Sequence, residues 1–477
     1  MNALDYAVVA AYLIAITAFG SYFARFQKNT RNYFLTDNST PWWAICFTIV
    51  ATETSTLTFI GVPASAYAGN WTFLQLAAGY VIGRIIVSVL FLPRYFRGAL
   101  ITSYQLLQAR FGLSVSTVAA GLFLVTRSLA DGIRLFATAL VISIVTGVPV
   151  PWTIVVLGVA MIVYTVRGGS AAVIWTDVVQ MFIYVAGALV VFFALLQQIP
   201  GGWSEVVRPG SDAGKFTVLD LSFAPTKIYT LWAGLAGGIA LTLATHGTDQ
   251  FLVQRLLSAD SPKSAARGLV LSGFIVFAQF VLFLLIGAML FAYHQQFPLT
   301  EALPRNDAIL PRFIVDHLPH GLVGFIIAAI VAAALSPSIN AMAATTMNDF
   351  YLRYVRTPPD DARLLTLSKQ FTVFWGIVQL FVALGAQWLD QGVLDAGLSV
   401  LSLTTGPVLG AFLIGVLTER VGAQAMLAGM AIGAIVLIAV WWTAAVGWTW
   451  YALLGASVTA VSALAASLVL PPPEPVR

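Results

Sequence analysis

Repeated apolar windows dominate this sequence, and each is long enough to cross a lipid bilayer as a helix. A spanning helix needs about 20 mainly apolar residues, and thirteen windows of about that length follow one another along the 477 residues. They cover residues 5–25, 40–66, 72–96, 115–146, 151–166, 171–197, 228–251, 267–294, 320–345, 365–388, 392–417, 422–442 and 446–470. Only 9% of the residues are charged, against about 25% in soluble domains. We therefore expect an all-α polytopic membrane protein.

The loop charges indicate how the chain is oriented. With the N-terminus outside, sixteen of the 24 Lys and Arg residues fall in inner loops and five in outer loops. The remaining three, Arg84, Arg127 and Arg134, lie within spans. Since inner loops carry the excess of basic residues, the C-terminus is expected in the cytoplasm. The net charge of +4 is dispersed along the chain, so we expect no nucleic acid partner.

The second window is interrupted by polar residues. Its sequence from Trp42 to Asn70 reads WWAICFTIVATETSTLTFIGVPASAYAGN, with hydroxyls and one carboxylate between Thr52 and Thr56. Such an interruption is typical of a discontinuous membrane helix that forms a solute or ion site. We expect unwinding around 51–54, with Glu53 in a cavity. The alternative is an intact helix whose hydroxyls bond to their own carbonyls and whose Glu53 pairs with a neighbour.

The seventh window carries a second polar interruption. It contains Thr242, Thr245, His246, Gly247, Thr248 and Asp249. Each interruption alone could be a polar helix face, but two in corresponding halves of a chain favour a transporter built from paired broken helices. We expect the two breaks to face each other.

Five stretches of the chain resemble one family. Residues 164–180 read YTVRGGSAAVIWTDVVQ, and the other four stretches agree in order. They are Phe59-Ile60-Gly61, Thr102-Ser103-Tyr104 through Arg110-Phe111, Thr248-Asp249-Gln250 with Val253-Gln254-Arg255, and Thr405-Gly406-Pro407. The sequence resembles the sodium/solute symporters, whose members carry glucose, proline, sialic acid, iodide and monocarboxylates, along its whole length.

The resemblance implies the fold of the bacterial leucine transporter. Two sets of five helices would form an inverted repeat, with the first helix of each set broken. On this basis residues 1–39 form a peripheral helix and loop, 40–200 the first repeat, 201–420 the second repeat with its outer loops, and 421–477 two peripheral helices and a tail. All belong to one transporter domain.

The resemblance also implies positions for the family's sodium site. Ala51 and Thr54 match residues whose carbonyls bind sodium, with Ile330 opposite and Asp177 matching a nearby family acid. The two family hydroxyls fall on Ala333 and Ala334, or one residue earlier on Ala332 and Ala333. A methyl group cannot bind a hard cation, which needs oxygen ligands. Ser336 or Ser338 could substitute.

Several residues near the breaks are candidates for solute binding. They are Glu53, Thr58, Tyr80, Arg84, Thr242, Thr245 and His246. An arginine within a span must face the protein interior. Arg84 could therefore be the partner of Glu53 or a fork for an anionic solute. His246 could titrate or contact the solute.

A group of charges in the fourth window has two possible roles. Arg127, Asp131 and Arg134 are spaced to share one helix face. They could neutralise one another and fix helix packing. Because two arginines face one aspartate, one positive charge remains, and Glu53 or a solute could neutralise it. Asp249 is expected to cap a helix end or pair with Arg255.

Together these features predict a secondary active transporter of a small polar or anionic solute, not an enzyme. The sequence has no nucleophile–base set and no cluster with metal-ligand spacing, and we expect no cofactor. The coupling ion could be a proton, sodium at a site rearranged around Glu53, or none. A membrane-embedded sensor is the other class considered. The expected partners are lipid and a small solute, and the expected location is a bacterial inner membrane. The sequence does not determine the oligomeric state, for which a monomer is the working assumption.

Overall fold

The computed structural model describes residues 1–23, 30–98, 100–299, 303, 305–334, 338–356, 359–388 and 392–470. Within these ranges the chain is helical, and its one β-type contact is an isolated bridge between Thr40 and Ala259. The expectation of an all-α protein is confirmed.

Twenty-one α-helices make up the described chain. In order they are α1 Ala3–Tyr22, α2 Thr30–Leu35, α3 Trp42–Glu53, α4 Thr56–Ala68, α5 Phe73–Leu90, α6 Leu92–Tyr95, α7 Tyr104–Phe111, α8 Leu113–Thr146, α9 Val150–Gln198, α10 Ser204–Asp212, α11 Leu231–Gly247, α12 Gln250–Leu257, α13 Pro262–Gln296, α14 Ile309–His317, α15 Leu322–Ala334, α16 Ile339–Thr345, α17 Leu352–Tyr354, α18 Asp361–Gly385, α19 Val393–Leu417, α20 Ala423–Thr443 and α21 Tyr451–Ala466. A π-helix, Thr346–Tyr351, joins α16 to α17.

The helices agree with the apolar windows. In the described residues, ten helical segments are long and apolar enough to span a membrane, and the bent pair α3–α4 makes an eleventh. The other two windows, 228–251 and 320–345, contain the shorter helices α11 and α15. Every predicted window thus contains a helix, while the total of thirteen spans stays a prediction.

The fifth and sixth windows are continuous in α9, with a kink between them. The kink is at Gly169, whose φ is 58° and ψ is −161°. Glycine adopts this conformation readily because it has no Cβ. Gly169, in the stretch 164–180 that resembles the family, is therefore explained by its backbone conformation: it allows one span to turn directly into the next.

The expected first break is present between α3 and α4. The two helices meet at an angle of 58°, and the residues between them are Thr54 and Ser55. The Thr58 hydroxyl donates to the Glu53 carbonyl at 2.9 Å, so a side chain satisfies a backbone group that the break exposes. The break begins at the last residue of the predicted range 51–54.

The second break separates α11 from α12 at Thr248 and Asp249. It lies at the inner end of the predicted polar stretch, because α11 continues through Thr245 and His246 to Gly247. Asp249 begins the next helix by accepting from the Phe251 amide at 2.9 Å, as an N-cap acid does. The expectation of a broken helix in each half of the chain is confirmed.

The broken helices pack with α5 and α13 into a bundle, defined here as α3, α4, α5, α11, α12 and α13. Helix α5 lies along α11, and α13 lies along α3, α4 and α5. Glycines allow the closest approach: a Cβ on Gly79 would lie 2.7 Å from the Gly234 carbonyl oxygen, and one on Gly83 would lie 2.6 Å from the Thr242 Cβ. Helices α8, α9, α15, α16 and α18 pack against one another and form a scaffold.

The segment between α9 and α11 is ordered and tied to the bundle. Lys215 follows α10 and donates to the carbonyl of Tyr67, in the last turn of α4, at 2.6 Å and to that of Gly69, just after α4, at 3.0 Å. Its ammonium group also lies 4.3 Å from the centre of the Phe291 ring of α13. These contacts hold the segment against α4 and α13.

We expect Gly79→Ala to destabilise the protein, because the added methyl group would meet the backbone of α11. Overpacking of this kind costs about 1–3 kcal/mol. The control is Gly121→Ala in α8, where no atom lies within 4 Å of the added Cβ. Alanine favours a helix by up to about 1 kcal/mol over glycine, so the control should be neutral or stabilising. Thermal unfolding of both purified variants checks this, and equal melting temperatures would contradict it.

Candidate solute and ion site

A cavity lies at the α3–α4 break and extends to the second half of the bundle. Its empty space is about 760 Å³, including the part that opens to solvent. Its lining residues come from the bundle, from α8 and from α19. They are Thr52, Glu53, Ser55, Leu57, Thr58, Phe73, Tyr80, Arg127, Arg134, Leu241, Thr242, Thr245, His246, Phe251, Leu252, Phe280, Leu394, Gly397, Leu398 and Leu401.

The structure brings six of the seven predicted solute-binding residues to this cavity. Glu53, Thr58, Tyr80, Thr242, Thr245 and His246 all line it. Arg84 is the exception: it is fully buried and contacts the cavity-lining Glu53. Its guanidinium therefore does not line the cavity but pairs with a carboxylate that does.

Glu53, Arg84 and His246 form one contact group within the bundle. The Arg84 Nη2 donates to the Glu53 carboxylate, and the same nitrogen lies 3.5 Å from Nε2 of His246. The His246 Nε2 is 3.7 Å from the other Glu53 oxygen, and its Nδ1 is 3.0 Å from the Thr245 hydroxyl. Of the two roles proposed for Arg84, the geometry favours partner of Glu53.

An apolar wall faces these polar groups, and most of its residues carry no recognisable signal in the sequence. The Phe280 ring contacts Phe73 and Tyr80, with centroid distances of 5.0 and 6.4 Å. Leucines of α19, at positions 394, 398 and 401, continue the wall. Their spacing is helical, but in a chain of apolar helices such spacing also describes residues that face lipid.

Two arginines of α8 also face the cavity, and their pairing differs in part from the expectation. Asp131 lies 3.9 Å from Arg127 and 3.6 Å from Arg134, as predicted for one helix face. However, the closest partner of Arg127 is Asp249, which accepts from its Nη2 at 2.6 Å and from its Nε at 2.9 Å. Arg127, Asp131 and Arg134 together carry one net positive charge, and Asp249 neutralises it. Neither Glu53 nor a solute is needed for this.

Asp249 was expected either to cap a helix end or to pair with Arg255. It caps α12 and does not pair with Arg255. Six residues separate the two side chains, so they point to different faces of α12. Arg255 pairs instead with Asp177 of α9, at 3.1 Å between Nη2 and Oδ2. The Thr48 hydroxyl donates to the same Asp177 oxygen at 2.6 Å.

The predicted sodium-site positions are only partly within the described chain. Ala51 and Thr54 are buried at the first break, where the Thr54 hydroxyl donates to Gln279 at 2.7 Å. The Ile330 carbonyl accepts from Thr56 at 3.1 Å, which places α15 against α4. The side chains of Ala333 and Ala334, and the whole of Ser336, lie outside the described residues.

Ser338 is engaged elsewhere in the structure. Its hydroxyl accepts from the Gln379 amide of α18 at 3.0 Å. In this arrangement the hydroxyl belongs to the packing of α16 on α18. No described group of three or more His, Cys, Asp or Glu residues could hold a metal ion.

Two broken helices around a cavity lined by polar and charged residues, in a bundle packed on a helical scaffold, define a secondary transporter. The family comparison identifies it more closely. Residues 33–433 match the model of the sodium:solute symporter family, so the chain belongs to this family. It is an integral membrane transporter and not an enzyme, as the sequence predicted.

Individual relatives cover nearly the whole chain. The chain is 31% identical to the sodium/sialic acid symporter SiaT of Proteus mirabilis, over 98% of this chain and 96% of that protein. It is 28% identical to the human sodium/iodide cotransporter, over 91% of this chain and 68% of that protein. The solved structure of a Na⁺-coupled sialic acid symporter, described as substrate-bound and outward-open, matches with a TM-score of 0.91 at 28% identity, over 99% of both chains.

We expect Arg84→Ala to destabilise the protein strongly, because it leaves the Glu53 carboxylate without its cation. Removing one partner of a buried ion pair costs about 3–5 kcal/mol. The double variant Glu53→Gln/Arg84→Ala removes both charges and should lose less than the sum of the two single variants, Glu53→Gln and Arg84→Ala. Thermal unfolding of the two single variants and the double variant checks the pairing. Additive losses in the two single variants would contradict it.

Proposed function

We propose that the protein moves a small anionic solute across the membrane by alternating access. The observation that carries this proposal is that Arg127 and Arg134 face the same cavity beside an aromatic wall. Guanidinium groups bind carboxylates and similar anions through paired hydrogen bonds.

The relatives support the same class of solute. Sialic acid and iodide are the solutes in the names of the two relatives described above, and both are anions at neutral pH. A monocarboxylate is the solute in the name of a third relative, which is 28% identical over 92% of this chain. The apolar wall formed by Phe73, Phe280 and the α19 leucines supports a solute with an apolar portion or a sugar-ring face.

Transport would follow from motion of the bundle against the scaffold. Lining residues come from both bodies, since Glu53 and His246 belong to the bundle whereas Arg127 and Arg134 belong to α8. Relative motion would change which end of the cavity is open. With the N-terminus outside, as the loop charges predict, the α12 end of the cavity faces the cytoplasm.

We expect anions of this class to raise the melting temperature of the purified protein. The panel is N-acetylneuraminate, lactate and iodide, with glucose and alanine as neutral and zwitterionic comparisons. Because a ligand stabilises the state that binds it, Arg134→Gln should lose the shift. The matched control is Arg312→Gln, whose side chain is exposed on α14 beside Asp316. A shift with glucose alone would contradict the anionic class.

The proposed coupling ion is a proton carried by Glu53. The motivating observation is the alanine at both family hydroxyl positions, 333 and 334. Glu53 is 17% exposed at the cavity, with His246 and Arg84 beside it. If water reaches this group from one side at a time, a proton can be loaded on one side and released on the other. The second candidate is a sodium site rearranged around Glu53, because carboxylates are good ligands for hard cations.

Uptake into proteoliposomes distinguishes the two ions. We expect uptake of the shifting anion to follow an imposed pH gradient and to ignore an imposed sodium gradient. Glu53→Gln should abolish the response to pH, since an amide cannot carry the proton. Uptake that follows sodium alone in the wild type, and loses this dependence in Glu53→Gln, would favour the rearranged sodium site instead.

A further inference from the structure

Helix α12, which follows the second break, is held against the scaffold by buried polar contacts. Asp249 at its start pairs with Arg127 of α8, and Arg255 pairs with Asp177 of α9. Gln254 donates to Asn340 of α16 at 3.1 Å and to the Phe34 carbonyl at 2.8 Å. These contacts join a bundle helix to the scaffold at the α12 end of the cavity.

One of these contacts also faces the cavity. Arg127 is a lining residue, and it binds Asp249 with its Nε and Nη2 while its Nη1 lies 3.9 Å from Asp131. Neither Arg255 nor Gln254 is a lining residue. A molecule in the cavity can therefore reach the cation of the Arg127–Asp249 pair.

We infer that an anionic solute competes with Asp249 for Arg127, and that this competition releases α12 from the scaffold when the cavity is filled. The inference rests on the proposed function and deepens it. It assigns Arg127 a role in coupling: the same guanidinium holds α12 in place and senses the solute.

Charge balance gives the reason. The charges of Arg127, Arg134, Asp131 and Asp249 sum to zero when all are ionised. A bound anion adds one negative charge to a buried group, where uncompensated charge is costly. The cluster can restore balance if one carboxylate moves out to water.

Asp249 is the carboxylate that can move. Asp131 lies in the middle of α8, on the same helix as both arginines, and cannot leave without unwinding it. Asp249 lies in the two-residue junction between α11 and α12, where a small change in backbone angles reorients all of α12. Movement of Asp249 and release of α12 are therefore one event.

The informative variant is Asp249→Asn. It removes the charge but keeps the side-chain oxygen that caps α12 through the Phe251 amide, and asparagine caps helices as well as aspartate. The matched control is Gln254→Met, which removes a different polar contact of α12 with the scaffold and leaves the Arg127–Asp249 pair intact. Both variants weaken the attachment of α12, but only the first removes the solute-sensitive contact.

A buried thiol on α12 reports the release. Cys46 is the sole cysteine of the sequence, so Cys46→Ala gives a background into which Val253→Cys is introduced. Val253 is fully buried on α12 and is not a lining residue, so a bound solute does not shield it. The labelling rate with a water-soluble maleimide is measured in nanodiscs with N-acetylneuraminate, lactate or iodide, and with glucose as the neutral comparison.

We expect an anion that shifts the melting temperature to raise the labelling rate about 5-fold or more, the lower end of typical coupling between sites. Asp249→Asn should label fast without any anion and should not respond to one. Gln254→Met should still respond. An anion that shifts the melting temperature but leaves the wild-type labelling rate unchanged would overturn the inference and leave the proposed function standing. If no anion changes either quantity, the anionic assignment fails, and the inference fails with it.

Discussion

Charge neutrality in a medium that cannot solvate ions is the constraint on which the rest of this structure depends. A charged side chain at membrane depth must be paired or reach water. Arg84 pairs with Glu53, Arg127 with Asp249, Arg134 with Asp131, and Arg255 with Asp177. Both broken helices contribute to these pairs, because the breaks are where polar groups can meet without a lipid-facing surface.

The pairs differ in which bodies they join. Glu53–Arg84 lies within the bundle, so motion of the bundle against the scaffold would leave it intact. Asp131–Arg134 lies within α8. Arg127–Asp249 and Arg255–Asp177 connect the bundle to the scaffold, so they are the pairs that relative motion would strain or break. The pairs within one body therefore hold the site together, and the pairs between the bundle and the scaffold oppose its opening.

The sequence predicted the architecture well because bilayer physics limits the choices. Apolar length identified the helices, and polar interruptions at Thr52–Thr56 and Thr242–Asp249 identified both breaks. Glu53, Arg84 and His246 were recognised because charged or titratable groups are rare in spans. The apolar wall was not recognised, since Phe280 and the α19 leucines have the same composition as residues that face lipid. The partner of Arg127 was also missed, because its contact with Asp249 joins residues 122 positions apart and helical spacing identifies only local neighbours.

The glycine contacts between α5 and α11 have a consequence for how a solute could leave. Backbone atoms meet there without side chains between them, so these two helices are expected to move together as one stiff piece. In the proposed cycle, the cavity then opens where this piece slides past α19, whose contribution is Leu394, Gly397, Leu398 and Leu401. Contacts between such side chains are non-directional, so sliding replaces one set with another of similar energy. The apolar side of the solute's path would thus be able to change its contacts as the solute passes, whereas the ionic groups would keep directional ones.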